Sequence, residues 1–302
     1  MGSDRRHLLL CNPSSGGGRA EKLLPEVERQ LAAQGVASRT VMTRSLEHGI
    51  DEALRAGEAG EVPVVMSGDG LIGQIGGALA ESGIPMGVIP GGRGNDFARV
   101  LGIPTEPEGA TAVLAAGNER QIDVGEVNGR RFIGVASIGI ESEANERANN
   151  TRLIKGNLVY TYAGIRTLAT WKPAGFTVEL GDSETVEFLG FSVNVANNRA
   201  YGGGMFIAPD AELDDGVFDV VMSADTSKLK CLRNLPKLFK GTHVEEPEVT
   251  IARAAEVQVT ADRDFAVYAD GEHLADLPAR LRVLPGALTV IAPTGPLAGP
   301  DG

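Results

Sequence analysis

Hydrophobic and polar positions divide the chain into two regimes. Through about residue 125, short apolar runs alternate with amphipathic stretches. Residues 8–11, 38–43, 62–66 and 86–89 read as strands, each a short run rich in apolar or β-branched residues. Between and after them, 20–33, 49–56, about 71–81 and 97–101 read as helices. In the first helix Leu23, Leu24, Val27 and Leu31 form the stripe, and Pro25 requires the helix to start close before it. Strands alternating with helices predict an α/β domain with a mostly parallel sheet.

Beyond about residue 124 the period shortens. Residues 131–137, 176–180, 186–197, 217–222, 249–251, 256–260, 265–268, 280–283 and 288–291 read as strands separated by turn residues. Their alternation predicts an antiparallel β-sandwich, interrupted by helical segments at about 143–170 and 228–240. The expected domains are 1–125, alone or completed by 290–302, and 126–289.

Composition narrows the classes. A length of 302 residues suits two domains, and 42% hydrophobic residues suffice for ordinary cores. A formal net charge of −12 excludes nucleic acid as an expected partner, because that binding rests on Lys and Arg neutralising phosphates. Cys11 and Cys231 are the only cysteines, with no CxxC spacing, which fits a reducing cytoplasm. The apolar run after His7 is too short for a signal peptide or a membrane span, and Arg6 breaks a myristoylation pattern.

Two acidic glycine turns follow apolar strands: Ser67-Gly68-Asp69-Gly70, and Gly91-Gly92-Arg93-Gly94-Asn95-Asp96. Backbone N–H groups in such turns hold phosphate oxygens, and carboxylates hold the Mg²⁺ that travels with them. Both turns are also ordinary helix starts, with Asp69 capping a helix from Leu71 and Asn95 or Asp96 capping the next.

Four more blocks follow the same order along the chain. They are Asn12-Pro13-Ser14-Ser15-Gly16-Gly17-Gly18; Asp123 within Ile122-Asp123-Val124-Gly125; Gly202-Gly203-Gly204-Met205 with Asp210, Asp214 and Asp215; and Asp270-Gly271-Glu272. With the two turns, this series resembles the diacylglycerol kinase catalytic family, lipid kinases that include the soluble bacterial diacylglycerol kinases and sphingosine kinases. The resemblance runs from Asn12 to about Ile291. It implies a phosphofructokinase- or NAD kinase-like nucleotide domain and a β-sandwich carrying the lipid site, with ATP and Mg²⁺ in the cleft between them.

The resemblance assigns roles residue by residue. Asn12, Ser15, Gly16, Thr43, Gly68, Asp69, Gly70, Gly92, Arg93 and Asn95 would contact the nucleotide. Asp69, Asp96 and Asp123 would form the network around the catalytic Mg²⁺, and Asp210, Asp214 and Asp215 would lie near a structural Mg²⁺. Asp270 would be the base that takes the acceptor's proton, and Glu272 would orient it. Asp-Gly is also a common hairpin corner, so a plain turn at Asp270-Gly271 stays open.

Departures from the family pattern fall in the nucleotide turns. Ser67 replaces a glycine, Leu71 and Arg93 replace threonines, and Gln74 replaces a glutamate. Arg93 can supply a phosphate contact in place of the lost hydroxyls.

The implied activity is phosphoryl transfer from ATP to diacylglycerol. A sphingoid or other lipid acceptor, an NAD kinase-like activity, and a catalytically weak nucleotide- or lipid-binding protein are the alternatives.

The segment 228–240 places Lys228, Lys230, Arg233, Lys237 and Lys240 beside Leu229, Leu232, Leu235, Leu238 and Phe239, without an acid. It reads either as a basic amphipathic helix for peripheral contact with anionic lipid, or as a helix with a solvated basic face. Arg152, Lys155, Arg166 and Lys172 would extend the basic patch. A homodimer is left open.

Overall fold

The computed structural model describes residues 5–150, 158–181 and 184–300. Its first region contains β1 (His7–Cys11), α1 (Arg19–Ala33), β2 (Ser38–Met42), α2 (Leu46–Glu58), β3 (Val62–Ser67), α3 (Asp69–Leu79), β4 (Gly87–Pro90), α4 (Asp96–Val100) and α5 (Pro107–Ala116). The four strands pair in parallel in the order β2-β1-β3-β4. β1, β3 and β4 are buried along their whole length, as in a sheet covered on both faces. Because the strands run the same way, the loops after β1, β3 and β4 leave from one edge of the sheet.

Two local features differ from the expectation. α1 begins at Arg19, so Pro25 sits well inside it. Pro25 lies on the exposed side, where the carbonyl it leaves unbonded can be hydrated. α5 was not anticipated, although Pro107 opens it and Gly117, at φ 65°, closes it.

The second region contains β5 (Glu119–Val127), β6 (Arg130–Phe132), β7 (Val135–Gly139), α6 (Ile140–Asn150), α7 (Leu158–Thr170), β8 (Ala174–Leu180), β9 (Glu184–Ala196), β10 (Phe218–Ala224), α8 (Lys228–Leu238), β11 (Val249–Ala254), β12 (Glu256–Ala261), β13 (Ala266–Ala269), β14 (Glu272–Asp276) and β15 (Ala279–Ile291). Every strand pairing here is antiparallel among the described residues, in the path β14-β13-β7-β9-β8-β12-β15-β5-β6, with β10 between β9 and β11. β9 changes partners midway: residues 184–190 face β8, and 192–196 face β7 and β10. The strands enclose a core that includes Phe132, Phe176, Phe218, Trp171 and Phe265.

The strand expected over 131–137 is two strands, β6 and β7, broken at Ile133-Gly134. The two short strands expected at 280–283 and 288–291 are one, β15, whose pairing with β5 shifts between Leu284 and Leu288. The expected helix over 143–170 is α6 and α7; Arg152 and Lys155 lie outside the described residues.

β15 also ties the regions together. Val290 forms a parallel bridge to Met86 just before β4. The Met86 N–H donates to the Thr289 carbonyl at 2.9 Å, and the Ile291 N–H donates to the Met86 carbonyl at 2.9 Å. Ile122, Val124, Leu288 and Val290 consequently share one buried core with β1, β3 and β4.

Candidate active site

Three glycine loops meet at the edge of the parallel sheet. After β1, the Asn12 carboxamide oxygen accepts from the Ser14 N–H at 3.1 Å and its hydroxyl at 2.8 Å, closing the first loop. Gly16, Gly17 and Gly18 then take φ of 61°, 72° and 90°, which side chains resist. A Cβ on Gly16 would stand 2.7 Å from the Gly91 carbonyl oxygen, so the first and third loops are in contact. A Cβ on Gly92 would likewise sit 2.9 Å from the Asn95 carboxamide oxygen, and Ser15 lies against Gly68.

Arg93 reaches across this junction. Its Nη2 lies 3.0 Å from where a Cβ of Gly17 would be, which places an exposed guanidinium over the first loop. Leu71 turns elsewhere, packing beside Thr43, Gly49 and Ile75. Thr43 is buried and its hydroxyl donates to the Cys11 carbonyl at 3.3 Å. Asn95 is buried too: its carboxamide oxygen accepts from the Gly92 N–H at 2.8 Å, and its amide donates back to the Gly92 carbonyl at 3.3 Å. Asn95, at φ 54°, therefore shapes the third loop.

Asp69 is the first residue of α3, and Gly68 precedes the helix as its cap. Its carboxylate serves a different helix from the one expected. Oδ1 accepts from the Phe97 N–H at 3.1 Å, at the start of α4. Asp96, the first residue of α4, reaches into the second region, where Oδ2 accepts from the Gly203 N–H at 2.7 Å. Both carboxylates flank Gly94: a Cβ there would stand 3.0 Å from Asp69 Oδ2 and 3.2 Å from Asp96 Oδ2. Burial raises both acids, and the Asp69 charge helps lift Asp96 to about 6. Asp96 Oδ1 is buried, lacks a hydrogen-bond partner, and stands 3.9 Å from Arg99 Nε.

Asp270 arrives from the opposite side. It occupies the corner between β13 and β14 with φ 52°, followed by Gly271 at 83°. Asp270-Gly271 is therefore a hairpin corner. The carboxylate enters a slot between two glycines. A Cβ on Gly73 of α3 would stand 2.6 Å from Asp270 Cγ, and a Cβ on Gly134 would collide with Oδ1. The break between β6 and β7 frees the Ile133 N–H, which donates to Asp270 Oδ2 at 3.0 Å. Burial, which the Ile133 N–H partly opposes, and the Asp69 charge raise Asp270 to about 7.

Several expected residues have other placements. Glu272 is exposed, and among the described residues it makes no hydrogen bond to Asp270; Ile133 and the two glycines orient that group instead. Asp123 is buried, but its oxygens accept from the Gly216 and Gly286 N–H groups at 2.7 Å each, clamping the bulge of β15 to the loop before β10. Asp214 pairs with Arg120 at 2.8 Å, and Asp215 pairs with Arg253. Asp210 is exposed. Among the described residues no three acidic, His or Cys side chains gather as one metal site.

Gly73, Gly134 and Ile133 were missed by the sequence reading. Gly73 had a signal: the interior of α3 holds Gly73, Gly76 and Gly77, each costing about 1 kcal/mol relative to alanine. Such a run marks close approach by another element. Here the approach is by Asp270 at Gly73 and by Arg131 at Gly77.

Comparison with known proteins follows the same two regions. Residues 6–127 match the diacylglycerol kinase catalytic domain, and residues 134–292 match the YegS C-terminal NAD kinase beta sandwich-like domain. The chain is 35% identical over 306 residues to a diacylglycerol kinase of Mycobacterium tuberculosis, covering 97% of this chain and 98% of that one. It is 30% identical over 295 residues to a Staphylococcus aureus diacylglycerol kinase, covering 96% and 93%. A crystal structure of a Bacillus anthracis diacylglycerol kinase superposes with a TM-score of 0.76 at 22% identity, covering 96% and 97%, and shares the fold.

Proposed function

The chain belongs to the diacylglycerol kinase catalytic family and is a lipid kinase, and from that premise we propose that it moves the γ-phosphoryl group of Mg-ATP to the free hydroxyl of diacylglycerol, giving phosphatidic acid. The observation that carries this reading is the position of Asp270: a carboxylate from the second region, raised to about 7, in a slot beside the glycine loops and within electrostatic reach of Asp69.

The residues divide the work. N–H groups and the Arg93 guanidinium around the first and third loops favour the negative phosphates. Asp69 and Asp96 suit a divalent cation: two oxygen-donor groups flank one glycine, each is raised by burial, and Asp96 Oδ1 lacks a partner. Bound there, Mg²⁺ would neutralise charge on the phosphates. Asp270 accepts the acceptor hydroxyl's proton as its oxygen bonds to the γ-phosphorus and the bond to the ADP oxygen breaks. Ile133 holds Asp270 Oδ2 by its N–H, and the slot limits the carboxylate's movement.

Among the described residues no helix is long and apolar enough to cross a membrane, and we propose cytoplasmic action on lipid reached from the aqueous side. Purified protein, ATP and Mg²⁺ should be incubated with mixed micelles of diacylglycerol, monoacylglycerol, ceramide or sphingosine. Diacylglycerol is expected to give the highest kcat/KM. A higher value for a sphingoid lipid would reassign the substrate, and no lipid product would remove the assignment.

Arg93→Thr restores the family's usual residue at that turn. If the guanidinium holds phosphate, KM for ATP rises about tenfold while KM for lipid is unchanged. An unchanged KM for ATP would exclude that role.

A further inference from the structure

The helix α8 turns its apolar residues away from the protein. Cys231 packs against the second-region core and Leu238 against the smaller core containing Ala208 and Ala211. Between them on the same side, Lys230 Nζ bonds Glu248 Oε1 at 2.7 Å and Glu246 Oε2 at 3.0 Å, and Lys237 pairs with Glu246. Helical geometry puts residues 230, 231, 234, 237 and 238 on that inner side, with 229, 232, 235 and 239 opposite. Leu229, Leu232, Leu235 and Phe239 are accordingly 68%, 43%, 45% and 52% exposed, and no residue of α8 is buried. The periodicity expected over 228–240 is present, and only Leu238 of its five apolar residues packs inward.

We infer that the outer face of α8 is the docking face of this protein on an anionic lipid bilayer. Four large apolar side chains provide the inserted surface. Lys228, Arg233 and Lys240 are exposed, and residues 228–240 include no acid. Arg233 and Lys240 have no ion pair among the described residues, while Lys228 Nζ bonds the Ala169 carbonyl at 2.7 Å at the end of α7. A helix with this arrangement lies in the interface, apolar side chains among acyl chains and cations at headgroups. This local basic face stands on a chain of net charge −12. A second copy is a poor occupant, because a two-fold contact would set the same cations against each other. The choice of a bilayer rests on the lipid-kinase reading, since a substrate with two acyl chains stays in the membrane.

The full chain should be sedimented, without ATP, with vesicles of phosphatidylcholine alone or of equal parts phosphatidylcholine and phosphatidylglycerol. Binding is expected on the anionic vesicles and should fall with salt. Leu229→Asp with Leu232→Asp should weaken it at least about tenfold, and Arg233→Glu should weaken it on anionic vesicles only. The Arg233 variant tests the face if the leucine variant does not fold. Melting temperature and phosphorylation of a water-soluble short-chain diacylglycerol should not change.

Binding equal to wild type in both variants, or no binding by the wild type, would overturn the inference. So would a wild-type dimer in solution that Arg233→Glu dissociates. If the variants lose vesicle binding but no lipid is phosphorylated by any form, the lipid-kinase reading fails and the docking face stands. If lipid is phosphorylated and binding ignores the variants, the reverse holds.

Discussion

Asp270→Asn is expected to lower kcat by about 10²–10⁴-fold and, in the ligand-free protein, to raise stability. The first effect follows from losing the proton acceptor. The second follows from burial. Asp270 has its carboxyl raised to about 7, so above that pH the folded protein holds a desolvated negative charge near Asp69. The sign follows from linkage: at low pH folded and unfolded states are both protonated there, and the group contributes no difference. As pH rises toward 7 the unfolded chain releases its proton while the folded chain retains it, so stability declines relative to the asparagine variant. Above about 7 the full cost remains. Asparagine keeps an acceptor for the Ile133 N–H and adds no charge. Its advantage should therefore be small near pH 4 and reach about 1–3 kcal/mol above pH 7. Thermal melts across this range check it; a variant less stable than wild type at neutral pH would show that the carboxylate is structural.

Gly73→Ala should be nearly as damaging to turnover although it adds one methyl group. The new Cβ would stand 2.6 Å from Asp270 Cγ and 2.7 Å from its Cβ, distances at which the short side chain or the hairpin must move. Displacing a catalytic group by about 1 Å costs about 10²-fold in kcat. KM for ATP should change less than kcat, because the three nearest atoms to the added methyl all belong to Asp270. Alanine is also the better helix residue, which offsets part of the strain. Steady-state kinetics on wild type and variant decide it. Wild-type kcat would mean that the slot does not position Asp270.

The parallel half of the fold was legible because β1, β3 and β4 are short apolar runs ending in glycine loops. The second half was legible as alternating strands. Its breaks were not, because their causes lie far along the chain: β6 and β7 part at Ile133-Gly134, and the group that takes the freed N–H is 137 residues away. The carboxylates Asp69, Asp96 and Asp270 were found by motif, but their partners were not. Phe97 N–H, Gly203 N–H and Ile133 N–H are backbone groups, which carry no mark in a sequence. Asp123 shows the converse: a motif identified the residue, and its buried bonds to Gly216 and Gly286 give it a clamping role. In α8 the period was visible, but Glu246 and Glu248 determine which side faces inward.

The most direct test of Asp270 as the proton acceptor is the pH dependence of kcat/KM for diacylglycerol, measured in wild type and Asp270→Asn at saturating Mg-ATP between about pH 5 and about pH 9. The wild type should show a limb that rises with pH through about 7 and then levels, the direction required of a base that must be unprotonated. The variant should retain a low rate without that limb. The same rising limb in both proteins, or a wild-type rate independent of pH over this range, would contradict the assignment of Asp270 as the base.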